Sequence, residues 1–104
     1  MLLYVMASPS QFDAGIFKIG EADGRYNLNK RLSSFQTAHY ESVDIHALWD
    51  IGDIEAKADN RIHGILNEYR FGDGGTEFFK GVSIDEVHKW IIHVFGEERV
   101  KRLK

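Results

Sequence analysis

Two short apolar runs near the start of the chain narrow the folds open to it more than anything else. Leu2-Leu3-Tyr4-Val5-Met6 is rich in residues that suit a pleated, half-buried surface. Gly15 to Ile19 reads as a second strand. Between them, Ser8-Pro9-Ser10-Gln11 and Asp13-Ala14-Gly15 supply loop chemistry, so the two runs should pair as a hairpin with a long connection. Gly20 should end the second strand. Asn27 should then open an amphipathic helix, with Leu28, Leu32 and Phe35 on one face and Lys30, Arg31 and Ser34 off it.

The remaining elements follow from spacing. Val43 to Trp49 alternates apolar and polar for most of its length, as a third antiparallel strand with one buried face should. Asp53 is a good N-cap for a helix running from Ile54 to about Phe71. That would be the longest helix, with Ile54, Ala58, Ile62, Ile65, Leu66 and Tyr69 toward the sheet. The glycines around Asp73 stop it. Thr76 to Lys80 reads as a short extended piece. Ser83-Ile84-Asp85-Glu86 carries the capping-box pattern and starts a last helix that Gly96 ends. The expected fold is α+β, a small three-stranded antiparallel sheet flanked by helices. One domain over residues 1–96 is followed by a charged tail, 97–104, that adds a helical turn or stays mobile.

Composition limits the chemistry. The chain has no cysteine, which excludes disulfides and thiolate metal sites and leaves carboxylates, imidazoles, amides and water as ligands. A carboxylate site favours a hard ion such as Mg²⁺. The net charge of -3 argues mildly against a nucleic-acid binder, but charge is segregated. Basic residues gather at Lys18, Arg25, Lys30 and Arg31 and again from Arg99 to Lys104; acids gather between Asp50 and Asp59 and at Glu97-Glu98. No secretory pattern and no run near the roughly 18 apolar residues of a membrane span is visible, so a cytoplasmic protein with no membrane partner is expected.

A strand carrying Tyr4, a second strand ending Lys18-Ile19-Gly20, and a helix carrying Arg31-Leu32 resemble the GIY-YIG nuclease superfamily. The phage-associated branch, in which KIG replaces YIG, is the closer likeness. Ile62-His63 in a helix and Glu77-Phe78-Phe79 in a later strand are similar to that branch's "LH" and "EWF" signatures. The ordered set covers residues 2 to 79. The resemblance implies a Mg²⁺- or Mn²⁺-dependent endonuclease acting on DNA, with Tyr4, Lys18, Arg31, His63 and Glu77 as catalytic residues. It implies a metal ligand on the helix after the third strand, where the superfamily has Glu and this chain has Asp59. Glu55, a turn earlier, and Glu77 are the other candidate ligands.

Each residue also has a plainer reading. Tyr4 could be an ordinary strand tyrosine with its ring in the core. Lys18 accepts a proton only if burial or neighbouring cations lower its pKa; otherwise it is a point charge for phosphate or a solvated lysine. Arg31 stands out, because guanidinium is always charged and can bind two phosphate oxygens at once; the plainer reading is a solvated pair with Lys30. Asp59 and His63, one turn apart, could be a helix-surface pair. Asp is one methylene shorter than the Glu it replaces, and Glu77 could be a loop acid beside two core aromatics.

Two function classes therefore stand. One is a metal-dependent endonuclease whose selectivity would come from a homodimer, a partner or DNA shape. The other is a catalytically degraded DNA-binding or protein-interaction module on the same scaffold.

Overall fold

The computed structural model describes residues 1–37, 40–54, 57–72 and 78–104. The order of elements is β1 (Leu2–Ala7), α1 (Pro9–Asp13), β2 (Ile16–Ala22), α2 (Gly24–Thr37), β3 (Asp44–Asp50), α3 (Asp59–Ile65), β4 (Phe78–Lys80), α4 (Ile84–Phe95) and β5 (Lys101–Arg102). All strand pairs are antiparallel, in the spatial order β4-β2-β1-β3-β5.

The fold is α+β as the patterning implies, but the sheet has five strands where the sequence led us to expect three. Part of the difference was in view: the extended piece around Phe78 joins β2 as an edge strand. The rest comes from the tail. Lys101 and Arg102 pair with Asp50 and Trp49, and the backbone of Leu48 bonds residues 103 and 104. An apolar pattern cannot announce a strand whose own residues are charged and which is made by backbone bonds. Other boundaries also moved. The hairpin connection contains α1, capped by Ser8 and Gln11 in a reciprocal box with Pro9 at its start. The helix expected from Asn27 begins at Gly24. The helix expected over 54–71 is shorter: α3 begins at Asp59 without a side-chain cap, and a 3₁₀ turn over Asn67–Tyr69 follows it. Lys57 explains the late start, since its φ of +71° lies in the left-handed region that no helix interior can use.

β1 is central and is buried along its whole length, so both faces of the sheet must be covered. Its alternation divides the molecule. Leu3, Val5 and Ala7 join Phe17, Ile19, Trp49 and Phe79 in one core, closed by Ala58, Ile62 and Leu66 of the α3 segment and by Val87, Ile91 and Phe95 of α4. Leu2, Tyr4 and Met6 join Ala22 and Leu48 on the opposite face, under Leu28, Leu32 and Phe35 of α2. Ser83 caps α4 by accepting the Glu86 N–H, and Gly96, at φ +91°, ends it. Among the described residues no helix is long and apolar enough to cross a membrane.

Candidate functional site

Among the described residues β4 pairs with Ile16 to Lys18, and β2 runs on from Ile19 to Ala22. The chemistry gathers along this last stretch of β2. On the α2 side, Asn27, Lys30, Arg31 and Ser34 recur at helical spacing and form one stripe. That stripe lines a cavity of about 460 Å³ together with Glu21, Ala22 and Asp23 at the end of β2, and Met1. The stripe lies beside the apolar residues that seat α2 on the sheet, so the same helix packs with one side and presents cations with the other.

Glu21 ties this cavity to the other face of the sheet. Its carboxyl accepts the Ala58 N–H at 3.3 Å and also bonds the N–H of Lys57. The strained backbone at Lys57 belongs to this turn, which presents both donors to one carboxyl. The Glu21 carboxyl also shares a hydrogen bond with Asp59. Burial raises the Glu21 pKa, and the hydrogen bond and negative charge of Asp59 raise it further, against the two backbone donors. Asp59 is itself buried, at 6% exposure. The result is a close pair of carboxyl groups beside a cavity carrying Arg31 and Lys30.

His63 is buried one turn after Asp59. Its Nε2 lies 2.9 Å from the carbonyl oxygen of Ile19. A carbonyl can only accept, so Nε2 carries the hydrogen and donates it. The bond ties the helix to the β2 backbone one residue past Lys18. Asp59 Oδ2 stands 3.9 Å from the same nitrogen, too far for a second hydrogen bond. The His63 ring packs on Phe79 at 5.4 Å between centroids. His63 therefore fixes α3 to β2 and holds the helix that presents Asp59.

Tyr4 and Lys18 share the α2 face with Arg31, but among the described residues of the candidate set only Arg31 lines the cavity. Tyr4 is 2% exposed, and its ring lies across Gly20, its register partner. A β-carbon at Gly20 would overlap the Tyr4 ring, which is the physical reason for glycine after Ile19. Lys18 extends over the Phe35 ring with its Nζ 5.4 Å from the centroid. Asp59 and His63 come from the opposite face, and Asp59 reaches the α2-side cavity through its contact with Glu21. Glu55 and Glu77 lie outside the described residues.

The donor set fits a hard divalent ion. Mg²⁺ is usually held by one or two carboxylates, with water and substrate phosphate filling the rest of its shell. Glu21 and Asp59 supply two carboxylates, whereas Nε2 of His63 is already committed to Ile19. Among the described residues there is no cluster of three or more His, Asp or Glu side chains placed for a metal. Glu21 was not among the residues singled out from the sequence. Its one local signal is an acid interrupting the otherwise apolar end of β2, directly after Gly20. Comparison with known protein families, curated proteins and solved structures yields no match.

Proposed function

We propose that this chain is a divalent-cation-dependent endonuclease of the GIY-YIG type that hydrolyses phosphodiester bonds in DNA. One observation carries the reading: Arg31 and Lys30 line the same cavity as Glu21, whose carboxyl is paired with that of Asp59. Hydrolysis forms a bond from a water oxygen to phosphorus and breaks the bond to a sugar oxygen, with negative charge building on the phosphoryl oxygens between. Arg31 would hold two of those oxygens, and Lys30 would add charge. The water's proton needs an acceptor within hydrogen-bond reach. A cation held by Glu21 and Asp59 would neutralise phosphate charge and make water more acidic. His63 would keep Asp59 in place through its bond to Ile19. Tyr4 and Lys18 would act from the α2 face, Tyr4 after a local shift that uncovers its hydroxyl.

The burial of Tyr4 favours a second reading, a domain that binds DNA without cutting it, since a side chain at 2% exposure touches no substrate as it stands. One experiment separates the two. Supercoiled plasmid is incubated with the protein in Mg²⁺ or Mn²⁺, with a chelator control and the Arg31→Ala variant alongside. Nicking or linearisation that needs the metal and Arg31 supports the nuclease. Retardation of DNA without cleavage supports the binding module.

A further inference from the structure

One register row crosses four strands at the cavity end of the sheet. Ala22 stands opposite Leu2, Leu2 opposite Asp50, and Asp50 opposite Lys101. At about 4.8 Å between strands the row runs about 14 Å from the cavity wall to β5. Met1 bridges the middle: it lines the cavity, and its nitrogen bonds the Gly52 carbonyl at 2.9 Å. The aliphatic stem of Arg99 lies directly against Gly52. Arg99, Lys101, Arg102 and Lys104 are exposed, with the exposed acids Glu97 and Glu98 directly before them and none among them. Arg102 is turned onto the Trp49 ring, and its Nε donates to the Lys104 carbonyl, so Arg99 and Lys101 are the better placed for an outside partner. Asp23 and Asp50 also stand at this end; Asp50 Oδ1 accepts the Gly52 N–H and shapes the turn that carries the Arg99 stem.

We infer that Arg99 and Lys101 are a second phosphate-contacting site, so that a DNA backbone held at Lys30 and Arg31 continues along the end of the sheet to β5. This inference rests on the reading of the domain as a DNA-binding protein. Successive base pairs rise 3.4 Å, so a row of about 14 Å matches about four base steps. The partner is duplex DNA, recognised by its backbone charge rather than its sequence.

The test is fluorescence anisotropy with a labelled duplex of about 20 base pairs, without added divalent cation so that nothing is cut, over a series of salt concentrations. The proteins are the wild type, Arg31→Ala, the double variant Arg99→Ala/Lys101→Ala, and Lys101→Glu, which leaves the Arg99 packing intact. The β5 ladder is made by the backbone, so a far-UV melting curve should show each variant folded. Each lost phosphate contact lowers the slope of log K against log salt by about 0.9, so the double variant should lose about 1.8. Lys101→Glu should weaken binding with the wild-type fold intact. Wild-type binding with an unchanged slope in the double variant and unchanged affinity in Lys101→Glu, while Arg31→Ala is shallower, would overturn this site and leave the DNA reading standing. A wild type that binds no duplex removes both.

Discussion

Toward α3 and α4 the sheet presents Leu3, Val5, Ile19 and Trp49 to Ile62, Val87 and Ile91, all at 0% exposure. Toward α2 it presents Tyr4 and Met6 to a helix in which Leu28 alone is buried and Leu32 and Phe35 are half-covered. The first face is a two-helix core. The second is a thin lid whose outer stripe is Asn27, Lys30, Arg31 and Ser34. The difference assigns stability chiefly to one face and leaves the other free to carry charge. The end of β2 joins them, because Glu21 lines the α2-side cavity while its carboxyl bonds the α3 segment.

The contrast can be broken by substitution. The largest effect is expected for Ile91→Ala, which empties a fully buried site and should cost about 2–5 kcal/mol in urea unfolding. Leu32→Ala on the α2 side should cost roughly half of that or less, because Leu32 is only half-buried. Equal losses would mean that the two faces carry equal load. Gly20→Ala comes next. Its methyl would meet the Tyr4 ring and should cost about 1–3 kcal/mol, with a changed tyrosine environment in near-UV circular dichroism. Ser83→Ala removes the cap of α4 and should cost about 1 kcal/mol by the same denaturation.

The smallest effect concerns pH. Glu21 has a raised pKa when folded, so the folded state holds this proton after the unfolded chain, at about 4.5, has released it. Protons bound in the folded state then exceed those in the unfolded state, and stability falls as pH rises from that value through the folded pKa. Glu21→Gln should flatten this decline in a melting series and leave the variant relatively more stable at neutral pH. A decline of wild-type steepness in Glu21→Gln would place the strain elsewhere.

Much of the scaffold could be read from local pattern. The β1–β2 pairing, the Ser83 cap, the Gly96 stop and the buried stripe of α4 all sit in short stretches where propensity and burial agree. Ser8-Pro9 was ambiguous in principle, because the residues that make turns also begin helices; Gln11, three after Ser8, is the distinguishing sign. Two features were illegible for a physical reason. β5 depends on backbone bonds to Leu48 and on the Arg102–Trp49 contact, which involve residues some fifty positions apart. Glu21 becomes informative only when the turn at Lys57 delivers two N–H groups and Asp59 to it. The placement of Arg31 off the seated face of α2 was legible because that face follows directly from the spacing of Leu28, Leu32 and Phe35. The opposite placement of Asp59 and Tyr4, on two faces of one sheet, needs the strand alternation to be known first.

The most direct measurement is the single-turnover rate of plasmid cleavage by Arg31→Ala, taken beside its urea midpoint. The expected result is a rate lowered about 10²–10³-fold, as for loss of a group that stabilises transition-state charge, with stability changed by less than about 0.5 kcal/mol. Cleavage at the wild-type rate by a folded Arg31→Ala protein would contradict the assignment of this cavity as the place where phosphodiesters are cut.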